Sequence, residues 1–348
     1  MMYFQPFILA FLVGGCLTAL AICLGGRFFK WPQRIRDVHC GNVPRLGGLA
    51  LIAAFWLAVF FDKNLVIDKP LWGLLAASAV IFIFGLWDDL KNLRPFWQLA
   101  VQIFSGTIII ASGVAIDYVR SPFGGVIRLD QWQFALAGDH YNILGSLFIV
   151  IWIVLLINAV NWLDGLDGLA GGVSLIGFLT IFFLSVSPTI NQPPIAILAM
   201  IMTGGLLGFL IFNFPRCGKS LIFLGTSGSM FVGFMLGSLS VYSGSKVATA
   251  SLVLGVAILD TVFVVWQRLK SKNPIWQADR QHLHHRLLDC GFSKRQITLF
   301  YWALAVFFAF VAMISGAQAK LLAFFALCGI MILLILYVNA RSSGKRLE

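Results

Sequence analysis

An all-α, polytopic membrane protein is the fold class this sequence predicts, and three observations predict it. Of 348 residues, 59% are hydrophobic and only 11% charged, with a mean hydropathy of +0.91. A soluble domain of that length cannot hide so much apolar surface. Apolar segments of bilayer-spanning length recur along the whole chain, and the polar side chains gather in a few short brackets between them.

Taken in order, spans are expected near 7–24, 45–61, 71–87, 97–116, 143–160, 168–186, 194–213, 220–240, 246–266, 298–316 and 319–338. That makes about eleven transmembrane helices, of which 45–61 and 220–240 carry glycine clusters and are the least regular. The first lacks a basic leader and a small-residue cleavage site, so it reads as a retained span. An odd number puts the termini on opposite faces. Nineteen of the 25 lysines and arginines fall on one face, which makes that face cytoplasmic, the N-terminus outside and the C-terminus cytoplasmic. The net charge of +11 follows from this topology and gives no reason to invoke nucleic acid. Six cysteines form no CxxC pair and no disulfide framework. Residues 117–142 form the longest outer loop, with turn-prone glycines and a proline that suit a short hairpin. Residues 267–297 form the longest inner loop, where Gln281–Asp289 suits a helical turn or two, stopped by Gly291. The whole of 1–348 reads as a single integral-membrane domain.

The densest polar bracket is 158–172, with Asn158, Asn161, Asp164 and Asp167 three residues apart. In a chain this apolar, such groups must face water, one another or a ligand. On helical backbone they would form a slowly turning polar ridge. A plain loop accounts for the polarity but not for the spacing, which favours a ligand site. Asp88 and Asp89 close the third span. Adjacent carboxylates there repel unless a cation joins them, and an all-oxygen site suits Mg²⁺ or Mn²⁺. Such a pair adds little to folding, so asparagine at either position is expected to spare stability. Asp260, inside the ninth span, would cost about 2.5–3.5 kcal/mol unpaired and needs a partner or a watery cavity. A helix-to-helix hydrogen bond that supports the site is one expectation, and a purely structural role is the other. His282, His284 and His285 have the wrong spacing for zinc, whereas His282, His285 and Arg286 can share a helical face and offer donors to a phosphate or pyrophosphate. All these residues fall on the cytoplasmic face. The outer acids Asp62, Asp68, Asp117, Asp130 and Asp139 form no constellation.

Five stretches, taken together, resemble the polyprenyl-phosphate N-acetylhexosamine-1-phosphate transferases. They are Pro44-Arg45-Leu46-Gly47-Gly48, Asp88-Asp89, Asn158–Gly172, Gly208–Ser229 with Asn213, and Asp279–Leu287 with its His-x-His-His, in the family's order along almost the whole chain. The resemblance is to the bacterial undecaprenyl-phosphate GlcNAc-1-phosphate branch, whose members start O-antigen (lipopolysaccharide), common-antigen or teichoic-acid linkers. It is weaker to the phospho-N-acetylmuramoyl-pentapeptide branch. It implies a cleft at the cytoplasmic face of the bacterial inner membrane, Mg²⁺ (or Mn²⁺), a UDP-N-acetylhexosamine donor, undecaprenyl phosphate as acceptor and UMP as leaving group. A homodimer is compatible with it. By resemblance, Asp88 or Asp89 acts near the acceptor phosphate as base or metal ligand, and Asp164 and Asp167 complete the catalytic set. Asn158, Asn161, Asn213 and Asp164 hold the nucleotide. His282, His284, His285, Arg286 and Arg45 bind phosphates, and Asp88, Asp89, Asp164 and Thr226 form the metal set. Two anionic reactants must be screened before one attacks the other, which is what such a set would do.

One position departs from the family. Its Gly-Asp-x-Gly-Ser pattern reads Gly225-Thr226-Ser227-Gly228-Ser229 here, with a neutral hydroxyl where a carboxylate is expected. A weakly active member that binds lipid phosphate or nucleotide sugar is therefore the second expectation. A transporter is the third, and it ranks last because the polar clusters lie at one face and not at the bilayer midplane.

Overall fold

The computed structural model describes residues 2–28, 43–121, 123, 125–136, 139–214, 220–242, 246–274 and 281–344. The architecture is helical throughout, apart from two small hairpins. The helices are α1 (Phe4–Phe28), α2 (Gly47–Phe61), α3 (Lys69–Lys91), α4 (Pro95–Ala111), α5 (Ile143–Leu163), α6 (Leu169–Ser185), α7 (Pro193–Asn213) and α8 (Gly225–Val241). They continue as α9 (Val247–Val253), α10 (Gly255–Lys270), α11 (Leu283–Asp289), α12 (Lys294–Ile314) and α13 (Ala317–Gly344). The long loop folds as antiparallel β1 (Tyr118–Arg120) with β2 (Val126–Arg128), and β3 (Gln133–Leu136) with β4 (Asp139–Asn142). The expected hairpin is thus two.

The helix ends follow local chemistry. Asp68 accepts a hydrogen bond from Leu71 N at 3.0 Å and caps α3, with Pro70 in its first turn. Asn92, in the left-handed region at φ 49°, ends that helix and donates its N–H to Asp88 O at 2.9 Å. Ser293 and Gln296 form a reciprocal capping box at the start of α12.

Each of the eleven expected spans is helical, but the lengths do not make eleven full crossings. Six helices among the described residues are long and apolar enough to cross a membrane: α1, α3, α5, α7, α12 and α13. The ninth expected span is not one rod. It is broken at Leu254 into α9 and α10, bent by 79°, and counting the pair as one gives seven. Helices α2, α4 and α6 have 15–17 residues, short of the roughly 20 that a 30 Å hydrocarbon core requires. The chain is a multi-pass membrane protein.

Helix α8 is the axis of the bundle. Every residue from Thr226 to Val241 is buried, and α2, α3, α5 and α6 pack around it. Its glycines let neighbours touch backbone to backbone: a Cβ on Gly233 would lie 2.6 Å from Ile157 Cα of α5. At the periphery, α1 and α13 leave most of their apolar surface open, as lipid-facing helices do. The acids expected outside serve local geometry: Asp62 caps Asn64 and Leu65, Asp117 accepts from Asn142, and Asp130 pairs with Arg128.

Candidate functional site

The polar stretches converge at one end of the bundle, around the start of α8. The strap ahead of α2 lies against the segment that leads into α8, with Phe223 N to Pro44 O at 2.9 Å, Gly47 N to Phe223 O at 3.1 Å and Gly48 N to Leu224 O at 2.9 Å. Contact this close requires glycine, since a Cβ on Gly48 would stand 2.3 Å from Gly228 N. Helix α3 approaches equally closely, with Gly85 against Ser227 Cα. Gly225 turns the chain into α8 at φ +76°, pressed between the Arg45 carbonyl and the Asp89 carboxylate.

Asp89 is fully buried, and both of its oxygens are committed. Oδ1 accepts from Thr226 N at 2.8 Å, and Oδ2 accepts from Ser227 N at 3.0 Å and Ser227 Oγ at 2.9 Å. A carboxylate from α3 thus caps the N-terminus of α8, where the orphan N–H groups and the helix dipole favour negative charge. This corrects the expectation that the pair adds little to folding. Asp88, also buried, accepts at Oδ1 from Leu93 N at 2.9 Å and from Gln98 Nε2 at 2.8 Å.

The 158–172 bracket is only half helical. Asn158 and Asn161 lie in the last turns of α5, Asp164 is its C-terminal cap, and Asp167 lies in the turn before α6, where Gly168 takes φ +73°. The continuous ridge expected from the spacing is therefore replaced by two pairs. Glycines at 165 and 168 end the helix at Leu163, so the two aspartates sit on a turn. Asn158 donates to Gln102 Oε1 of α4 at 2.7 Å, and Asn161 donates to Ser229 Oγ of α8 at 2.7 Å. Asn213 at the end of α7 accepts from Gly168 N at 2.8 Å and donates to Ile222 O at 2.8 Å, which ties the aspartate turn to the approach to α8. From the other side α12 holds the same turn: Thr298 Oγ1 donates to Asp167 O at 3.2 Å and Trp302 Nε1 to Gly168 O at 3.1 Å.

The histidines close the site. His284 is fully buried, with neither ring nitrogen hydrogen-bonded, and its Nε2 lies 2.5 Å from where a Cβ on Gly165 would be. Burial, then the neighbouring His285 and His282, hold its pKa well below 6.5, so it is neutral at pH 7. His282 lies against Trp162 of α5 with centroids 5.3 Å apart, and the Arg268 guanidinium of α10 sits over the same indole at 5.3 Å. Asp260 Oδ2 meets His282 Nδ1 at 2.9 Å, and its Oδ1 accepts from Leu283 N at 2.9 Å. The helix-to-helix partner expected for this carboxylate is thus a histidine of the loop. Arg286 donates to Asn339 Oδ1 of α13.

Asp88 and Asp89, Asn158 to Asp167, Asn213, Arg45 and the histidines therefore share one end of the molecule. Among the described residues no group of three His, Cys, Asp or Glu side chains is placed to hold a metal ion, and Thr226 presents its N–H to Asp89. Gln98, Gln102, Thr298 and Trp302 escaped the sequence reading. Two glutamines four residues apart in otherwise apolar α4 were the signal for the first pair. Thr298 and Trp302 carry no motif.

The family model described as "Glycosyl transferase family 4" matches residues 71–244. A relative from Bacillus subtilis (strain 168), a "Probable undecaprenyl-phosphate N-acetylglucosaminyl 1-phosphate transferase", is 30% identical over 87% of this chain and 81% of its own. A "Decaprenyl-phosphate N-acetylglucosaminephosphotransferase" from Mycobacterium leprae (strain TN) is 33% identical over 76% of this chain and 71% of its own. A "Phospho-N-acetylmuramoyl-pentapeptide-transferase" from Latilactobacillus sakei subsp. sakei (strain 23K) is 27% identical over 80% and 88%.

Proposed function

The chain belongs to glycosyl transferase family 4, as a membrane-embedded sugar-phosphate transferase, and from that membership we propose that it moves N-acetylglucosamine 1-phosphate from UDP-GlcNAc to undecaprenyl phosphate, releasing UMP. The product is a polyprenyl-diphosphate-linked sugar, the first membrane-bound intermediate of a cell-surface polysaccharide. One observation carries the reading. Described residues of four of the stretches meet at the start of α8, with His284 of the fifth against Gly165, and the nearer relatives are polyprenyl-phosphate N-acetylglucosamine transferases, whereas the muramoyl-pentapeptide enzyme is more distant.

In this reading the phosphate oxygen of the lipid attacks the sugar-bearing phosphorus of the donor and the phosphoanhydride bond to UMP breaks. Gly165 and Gly168 let His284 and Phe214 pack directly against the aspartate turn, and the His282–Arg286 segment supplies donors to the diphosphate. A divalent cation, Mg²⁺ or Mn²⁺, belongs to the proposal on the chemistry of two anionic reactants, and no step is assigned to it. The asymmetry of nineteen basic residues against six supports the reading that this end of the bundle faces the cytoplasm, with the enzyme in the inner membrane. The test is UMP release by purified protein from a panel of UDP-sugars, with polyprenyl phosphate and Mg²⁺. Release with UDP-GlcNAc above the other sugars is the expected result, and no release with any UDP-N-acetylhexosamine would refute the proposal.

A further inference from the structure

The carboxylate of Asp260 has no place in the binding set above, yet it is bonded to a histidine. It is 5% exposed, on a helix that the broken span turns toward the site, and both of its oxygens face the first turn of α11. Oδ1 takes the N–H of Leu283, which fixes the backbone just past His282. Oδ2 takes Nδ1 of the His282 ring. A carboxylate at Nδ1 requires a proton there and leaves Nε2 as the free edge of the ring. Trp162 supports the ring from the side, two residues before Asp164. The groups around His282 are therefore Asp260 and Arg268 from α10 and His284 and His285 from α11.

We propose that Asp260 is a positioning residue of the transferase. It holds His282 with Nδ1–H toward the carboxylate, so that a second proton on Nε2 becomes a charged donor to a phosphate oxygen of the nucleotide sugar. The ring then stands between two acidic groups, one built into α10, the other arriving with the substrate. The inference rests on the proposed reaction for its substrate and on the geometry of α10 and α11 for its mechanism.

Asp260→Asn is the test. The amide oxygen can still accept from Leu283 N. The NH₂ group makes Nδ1 an acceptor, so His282 can no longer carry both protons. The expected result is a fall in kcat/KM on the order of 10- to 100-fold, a basic limb of the pH profile moved to lower pH, and a melting temperature close to the parent's. The double variant with His282→Gln should be no worse than His282→Gln alone. Activity of Asp260→Asn within twofold of the parent overturns the inference. So does a loss that tracks the melting temperature with the pH profile unchanged, which marks a structural role only. Should Asp260→Asn not be recovered folded, His282→Gln must lose the same limb, and keeping it refutes the inference. If the parent releases no UMP at all, the proposed reaction fails, and ¹⁵N-histidine spectra with added UDP then decide this one. A His282 response that Asp260→Asn abolishes supports it, and no response overturns it.

Discussion

Replacing Asp89 removes the cap of the central helix, and the structure sets the cost. Three donors converge on this buried carboxylate: Thr226 N at 2.8 Å, Ser227 N at 3.0 Å and Ser227 Oγ at 2.9 Å. Hydrogen bonds to a charged group contribute roughly 1.5–3 kcal/mol each, but they are not additive when one side chain makes all three. Asp89→Ala leaves two buried backbone N–H groups and a hydroxyl without this acceptor, and it strips a negative charge from the positive end of α8. A loss of about 3–5 kcal/mol is expected. Asp89→Asn keeps one acceptor and turns its NH₂ against a donor, so about 2–3 kcal/mol should go. Asp88→Asn keeps Oδ1 for Leu93 N and Gln98, near the end of its own helix, and should cost about 1 kcal/mol or less. Thermal unfolding of the three purified variants in one detergent should therefore rank Asp89→Ala below Asp89→Asn below Asp88→Asn. If Asp89→Ala melts within about 2 °C of the parent, the cap is not holding α8 to α3 and the reasoning fails.

Gly172→Ala would place a Cβ 1.9 Å from Trp302 Cε2, so the indole must leave and its bond to Gly168 O must break. UMP release should fall at least tenfold, and an unchanged rate would show that α12 does not hold the aspartate turn. His284 titrates well below 6.5 when folded and near that value when unfolded, so the unfolded chain binds the extra proton as pH falls. Stability should be full above about pH 6.5 and decline below it, and His284→Gln should flatten that decline. A melting temperature with the same acid slope in both proteins would rule this out. Thr226→Asp puts a second carboxylate beside Asp89, and without a cation the two repel. The variant should melt lower than the parent in EDTA and recover with Mg²⁺, whereas metal-independent melting would exclude a cation from this position. Reporters fused after Glu348 and within 117–142 should fall on opposite sides of the membrane, the first cytoplasmic, and finding both on one side would break the basic-residue argument.

Much of the fold was legible because hydrophobic runs of membrane length leave few alternatives. The positions of α1, α3, α5, α7, α12 and α13 follow from apolar runs and flanking polar residues alone. The break at Leu254 was not legible. Apolar composition is blind to direction, and α9 and α10 read as one run because both are greasy. Nor was the backbone state of Asp164 and Asp167, since a spacing of three suits a helix and a glycine-punctuated turn equally well. Gly165 and Gly168 stop the helix.

The same limit applies to the roles of individual residues. A motif marks where polar groups cluster, but it does not separate those that face a ligand from those that hold the cluster together. Asp89, Asn213 and Asn161 all make bonds between elements: to the start of α8, to the aspartate turn and the approach to α8, and to Ser229. Side chains of this kind stand in a motif because close-packed helices leave one geometry in which their donors and acceptors match. Their replacement should lower activity and stability together. His282 and Asp260 differ, because the ring edge that Asp260 leaves free points away from its anchor. Variants that lose turnover while their melting temperature holds will separate the second kind of residue from the first.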